Sequence, residues 1–166
     1  MSNSSIKILI ILLLGLSYQP LLAQEDILRD IVKDKLPRRH EGYACYASTL
    51  RMINISNNQE FDELVTGIEK ILIYKLDSAS KSEKSYREIS KAYMAEGYEE
   101  YAMSMGNELN MAILGKEAQK DQYVGYFVRE DFSIAFYLRG KIGWEKIPKL
   151  LTTMEESDVI NVFDLK

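Results

Sequence analysis

The chain has one cysteine, one histidine, one tryptophan and three prolines in 166 residues. A lone cysteine closes no internal disulfide, so the fold must hold by its core. A structural zinc takes about four Cys or His ligands, and one of each excludes that site. Glu99-Glu100 and Glu155-Glu156-Ser157-Asp158 lack the alternating acids and central glycine of a calcium loop and read as solvated surface. No Gly-x-Ser-x-Gly elbow occurs, and Gly140-Lys141-Ile142-Gly143 has neither a phosphate-loop ending nor dinucleotide glycine spacing. His40 and Cys45 lie close enough in sequence to invite a thiol-imidazole dyad, but a strand cysteine is ordinarily a small core residue. No catalytic residue, metal or cofactor is assigned on these grounds.

Long basic runs are missing too. The densest cationic stretch is Pro37-Arg38-Arg39-His40, and the formal net charge is −4, which argues against a nucleic-acid partner. Nor is there a membrane-length apolar run. The uninterrupted block Ile8 to Leu16 covers about 9 residues where a spanning helix needs roughly 20. A polar start with one cation, Lys7, precedes the block; Ser17 to Pro20 break it, and Leu21-Leu22-Ala23 offers a small residue before a cut. That is the layout of a signal peptide over residues 1–23, cleaved near Ala23. The expected product is periplasmic or secreted, with no membrane span. Loss of Lys7 leaves 20 Lys and Arg against 25 Asp and Glu, a net charge of −5. A lipid anchor would need a cysteine right after the apolar block, and Cys45 lies far downstream.

Roughly 140 remaining residues suffice for one core. Residues 24–42 read as an N-terminal helix or linker, with Ile27, Leu28, Ile31, Val32 and Leu36 at helical spacing before Pro37. Residues 43–166 read as a single α+β domain. Its first strand runs from Tyr43 toward Leu50. A helix follows, capped by Asn57 with Glu60 and carrying Phe61, Leu64, Val65 and Ile68 on one stripe. Ile71 to Leu76 reads as a buried strand, and the short helix-to-strand link suggests a β-α-β unit with parallel strands. Ser80 and Glu83 then open a helix bearing Tyr86, Ile89, Tyr93 and Met94, which Gly97 stops.

Four strand-like runs come next: Tyr98 to Met105, Leu109 to Gly115, Tyr123 to Arg129 and Phe132 to Gly140, separated by turn or polar residues. A last helix starts near Trp144 and buries Trp144, Ile147, Leu150, Leu151 and Met154, with Pro148 in its first turn. The order is β-α-β-α-β-β-β-β-α. The expectation is a two-layer sandwich: a mixed, mostly antiparallel sheet of about six strands with the helices on one face.

Thr49-Leu50-Arg51-Met52 after the first strand, the Ile68 to Leu76 passage, Tyr86-Arg87-Glu88-Ile89 leading to Glu96-Gly97-Tyr98-Glu99-Glu100, and the paired strands ending near Leu138 make the chain resemble domain-of-unknown-function family 4252. This is a family of small signal-bearing envelope proteins of Gram-negative bacteria. The resemblance implies a fold and an address, and no catalytic residue. Members often look like lipoproteins, and this chain departs from them in lacking the lipid-accepting cysteine. Their association with extracytoplasmic sigma factors suggests a role in envelope stress signalling.

If Glu130-Asp131 form a two-residue hairpin turn, facing residues have numbers summing to 261, so Phe127 faces Ile134 and Tyr126 faces Ala135. Phe132, Ile134, Phe136, Leu138, Tyr123 and Phe127 then share the core side. The other side collects Val124, Tyr126, Val128, Ala135 and Tyr137, unusually apolar for a face that meets only water. Either it recruits a partner or ligand, or the 25–36 helix or the 159–165 tail covers it. The functional expectation is a non-catalytic envelope binding module that uses Val124, Tyr126, Val128 and Tyr137 to hold an envelope protein, peptide or apolar ligand. A carboxylate-dependent hydrolase and a regulatory component of envelope stress signalling are the alternatives. A homodimer joined through Cys45 is a further possible partner arrangement in an oxidising compartment.

Overall fold

The computed structural model of the chain describes residues 28–30, 42–53, 59–76, 83–106, 109–117, 119–129 and 132–156. The leader, His40, the Asn57 and Ser80 caps, the Glu130-Asp131 turn and the 159–165 tail lie outside the described residues. The elements run β1 (Gly42–Tyr46), α1 (Ala47–Ile53), α2 (Gln59–Val65), β2 (Ile68–Lys75), α3 (Glu83–Ala95), β3 (Glu99–Met105), β4 (Asn110–Lys116), β5 (Gln119–Val128), β6 (Ser133–Gly140), a 3-10 turn (Trp144–Lys146) and α4 (Ile147–Glu156).

The six strands form one sheet in the order β1-β2-β6-β5-β4-β3. Every pairing is antiparallel, including β1 with β2, so the parallel β-α-β unit is not formed. The reason lies between the strands. Ala47, Leu50, Arg51 and Met52 are strong helix formers, and they end the first strand at Tyr46 rather than carrying it to Leu50. Two seven-residue helices, each about 10 Å long, then touch one another and return the chain to the end where β1 stopped. There Tyr46 faces Lys70, and β2 runs back.

The meander from β3 to β6 follows the expected runs, although β5 starts earlier, at Gln119. The β5–β6 register sets Phe127 opposite Ile134 and Tyr126 opposite Ala135, and the Arg129 N–H donates to the Phe132 carbonyl at 2.7 Å beyond it.

One face of the sheet presents Ile71, Ile73, Met111, Ile113, Phe127, Ile134, Phe136 and Leu138. Leu50 of α1, Phe61, Leu64 and Val65 of α2, and Ile147, Leu150, Leu151 and Met154 of α4 close that layer. Pro148 sits at the second position of α4, where no helical hydrogen bond is lost. Trp144 is corrected: it lies in the 3-10 turn before the helix and is 41% exposed. Gly140 has φ 152°, and a Cβ there would lie 2.3 Å from the Gly67 carbonyl oxygen, so the end of β6 can cross the α2–β2 turn only as glycine.

The helices do not all lie on one face. Ile89 and Tyr93 of α3 pack on the opposite side, with Ala112, Leu114, Val124, Tyr126, Ala135 and Tyr137, where Leu28 from the helical residues 28–30 joins them. The molecule is therefore α+β with helices on both sides of an antiparallel sheet. The stop of α3 is a Schellman motif. Gly97 takes φ 81°, its N–H donates to the Met94 carbonyl at 3.0 Å, and the Tyr98 N–H donates to the Tyr93 carbonyl at 3.2 Å. The apolar contact that accompanies this motif is an edge-to-face pair of Tyr93 and Tyr98 with ring centroids 5.2 Å apart.

Candidate functional site

Successive side chains of a strand alternate between faces. The register therefore lays Ala112, Tyr126, Ala135, Tyr74 and Gly42 across five strands in one row on the face of the sheet where α3 packs. Large and small residues alternate along it, and a Cβ on Gly42 would sit 2.5 Å from Tyr74 Cε1, so that ring lies over the glycine. The next row holds Leu114, Val124, Tyr137 and Leu72. The result is a tyrosine platform, whereas the other face of the same sheet is built mainly from Ile, Leu and Phe.

All four residues proposed from the sequence as a binding face belong to this platform. Val124 and Tyr137 are 0% exposed, Tyr126 is 1% and Val128 is 6%. Of the two readings of this face, an open surface or an internally covered one, the structure has the covered one: α3 packs on the platform, and Leu28, from the segment offered as an internal cover, is buried against it as well. The alternation identified the face and left its cover undetermined.

The platform layer differs from the aliphatic layer in its polar atoms. The Tyr137 hydroxyl donates to Gln122 Oε1 at 3.1 Å. Ser90 Oγ and the Tyr93 and Tyr98 hydroxyls, all buried, have no hydrogen-bond partner, and neither has Ser133 Oγ, whose residue shares the face of Ala135 and Tyr137. Every unpartnered buried hydroxyl among the described residues thus lies on the α3 side of the sheet. Burial, then the neighbouring Tyr98 and Tyr74, push the Tyr93 phenol well above its ordinary range. Burial, then Tyr137 and Glu96, do the same to Tyr98. Both therefore stay protonated and present O–H donors. No described Asp, Glu, Lys or Arg residue is buried as a whole, although Arg139 Nε is a buried atom. Charges stand at the rim instead: Lys116 Nζ lies 4.6 Å from the Tyr98 ring centroid, and Arg139 Nε is 2.9 Å from Glu69 Oε2.

These hydroxyls weaken the hold of α3. Burying a large apolar side chain contributes about 1.5–3 kcal/mol, and a buried polar atom without a partner costs about 1–3 kcal/mol. α4 anchors itself with four fully buried apolar side chains, worth about 6–12 kcal/mol on that scale. Among its described side chains α3 has two, Ile89 and Tyr93, worth about 3–6 kcal/mol, against which the two hydroxyls it carries weigh about 2–6 kcal/mol. Among the described side chains these terms nearly balance, so α3 has a weaker described hold on the sheet than α4.

A concavity lies at the sheet end, an open groove of about 470 Å³ whose lining includes Lys120, Asp121, Tyr123, Lys141 and Ile142. The Tyr123 hydroxyl donates to the Lys120 carbonyl at 3.0 Å, and burial, then Tyr101, Glu145 and Asp121, raise its pKa. Among the described residues the lining holds one carboxylate, Asp121, and the Glu145 carboxylate lies beside the lining residue Gly143. Among the described residues no three His, Cys, Asp or Glu side chains converge as metal ligands. Cys45 is fully buried in the aliphatic layer, and desolvation raises its thiol to about 11. A disulfide between two copies would require that sulfur to leave the core. Among the described residues no helix is long and apolar enough to cross a membrane.

Sequence reasoning did not single out Ser90, Tyr98, Gln122 or Ser133. The signal available was the ratio of 11 tyrosines to 5 phenylalanines: inward positions carry hydroxyls that packing alone does not require. Comparison with known protein families, curated proteins and solved structures finds no match.

Proposed function

We propose that this protein is a non-catalytic, exported binding module that takes up an apolar-bodied ligand between α3 and the tyrosine platform. The observation that carries the reading is the confinement of unpartnered buried hydroxyls to that one layer. Natural cores satisfy nearly all their buried polar atoms. A group of exceptions on one face, under the weakly anchored helix, is the arrangement expected of a site whose polar partners arrive with a ligand. A folded protein partner would have to remove α3 altogether, so a small molecule fits the geometry better. Export rests on the amino-terminal leader layout, and the address proposed is the periplasm or the medium.

Titration of the native protein with N-phenyl-1-naphthylamine, a neutral apolar fluorophore, tests the reading when hydrogen exchange is followed alongside. Saturable emission with slower amide exchange in α3, and unchanged exchange in α4, is the expected result. Absence of saturation, or protection confined to residues 119–123 and 141–143, rejects it.

A further inference from the structure

The chemistry of the layer narrows what it can hold. Its unpartnered hydroxyls are Tyr93 and Tyr98 at the α3 end and stop, Ser90 one turn back, and Ser133 on β6; the other buried polar atom on this face without a hydrogen bond, Arg139 Nε, stands in an ion pair 2.9 Å from Glu69 Oε2. Tyr137 and Gln122 show how such a group is satisfied here, by a neutral oxygen acceptor. The polar residues buried as a whole among those described are Ser90, Gln122 and Ser133, with the tyrosine hydroxyls beside them, and none of these carries a charge; the charged atom buried with them, Arg139 Nε, is paired with Glu69. An ionised ligand taken beneath α3 would shed its water without meeting a counter-ion, an arrangement proteins avoid. The rim cations are already engaged, Lys116 on the Tyr98 ring and Arg139 with Glu69. Small residues at Ala112, Ala135 and Gly42 beside Tyr126 and Tyr74 leave ring faces and edges, rather than methyl groups, as the surface a ligand body meets. Rings pack best on planar partners in offset or edge-on geometry.

Resting on the binding reading above, we infer that the ligand class is a neutral planar molecule bearing carbonyl or ether oxygens, whose acceptors pair with the Tyr93 and Tyr98 hydroxyls while its ring lies on the Tyr126 platform. The hydroxyls donate, the ligand oxygens accept, and no proton is transferred. Specificity follows from that division of roles. A hydrocarbon of the same shape gains the platform and leaves the hydroxyls unpaired, and a site built to hydrogen-bond an oxygen discriminates strongly against analogues without it.

Three probes of one ring system separate the possibilities: methyl 2-naphthoate, 2-methylnaphthalene and 2-naphthoate, each displacing the neutral fluorophore from the native protein at pH 7. The ester should bind at least tenfold more tightly than both others. In the Tyr93→Phe/Tyr98→Phe double variant, which keeps both rings, the ester should fall to the affinity of 2-methylnaphthalene while the hydrocarbon is unchanged. Equal binding of ester and hydrocarbon overturns the assignment of class, because the hydroxyls are then not engaged. Preference for 2-naphthoate overturns it in favour of an anion site near Lys116. Failure of all three, and of the fluorophore, overturns the underlying binding reading, a result distinct from either of the others.

Discussion

Tyr93→Phe should stabilise the ligand-free protein, although tyrosine-to-phenylalanine changes in a core more often cost stability. The ring of Tyr93 is fully buried and its edge-to-face contact with Tyr98 survives the change, so only the oxygen is lost. That oxygen has no partner, and relieving a buried unpaired hydroxyl is worth about 1–3 kcal/mol. With a urea m-value of about 1.5 kcal/mol/M, the midpoint should move up by roughly 0.7–2 M at unchanged slope. Tyr137→Phe is the internal control. Its hydroxyl donates to Gln122 Oε1 in the same layer, so its removal strands a buried acceptor and should cost about 1 kcal/mol. One chemical substitution at two positions on one layer thus gives opposite signs. Urea titrations of both variants, followed by far-UV circular dichroism, read the difference directly. A Tyr93→Phe variant less stable than the parent would refute the reasoning, since it would mean that this oxygen is satisfied by internal water.

Cys45 supplies a pH dependence. Its thiol is raised from 9.0 to about 11 by burial, so the stabilisation is complete below pH 9 and is lost as pH climbs from 9 to 11, by roughly 2–3 kcal/mol. Cys45→Ala should flatten the stability profile across that window, and an unchanged slope measured by urea titration at pH 8 to 11 would contradict the assignment. Leu151→Ala in the aliphatic layer should cost about 2–5 kcal/mol, while Trp144→Ala, at an exposed site, should cost less than about 1 kcal/mol; thermal melts of the two variants compare them.

Much of the carboxy-terminal half was legible because its signals are local. Alternation located β4, β5 and β6, and the two-residue spacing between Arg129 and Phe132 was enough to pair Phe127 with Ile134. Gly97 read correctly as a left-handed stop because little else permits that conformation at a helix end. What misled were questions that alternation leaves open. Ala47 to Leu50 is short enough to suit a strand or a helix, and reading it as strand made the link to β2 look like one crossover. Tyr93 and Ile89 define an apolar stripe on α3, yet a stripe states only that the helix covers something, not which side of the sheet it covers. For the same reason Val124, Tyr126, Val128 and Tyr137 could be grouped as one face while alternation left open whether that face meets a partner or is covered from within; it is buried. Trp144 entered the expected helix stripe on spacing alone, and the 3-10 turn, with three residues per turn, rotates it outward.

The two faces of this sheet divide labour in a way that neither face implies alone. Stability rests on the aliphatic layer, where α1, α2 and α4 bury Leu, Ile, Phe and Met side chains and Tyr123, the one buried tyrosine, hands its hydroxyl to a backbone carbonyl. With the fold secured there, the other layer can keep groups that detract from stability. Phenylalanine at positions 93 and 98 would pack the same rings without the penalty, so a layer selected for packing alone would be expected to carry it. Under the proposed function, hydroxyls that cost free energy in the protein alone would recover that cost on meeting a ligand acceptor, and the recovered free energy would count toward affinity. On the binding reading proposed above, a helix with few described anchors over a platform of unpaired donors would couple uptake to tighter closure: each hydrogen bond made by a ligand would remove one of the terms that loosened α3. Binding and stabilisation are thereby the same event, and a ligand of the right class should raise the unfolding midpoint of the parent protein more than that of Tyr93→Phe.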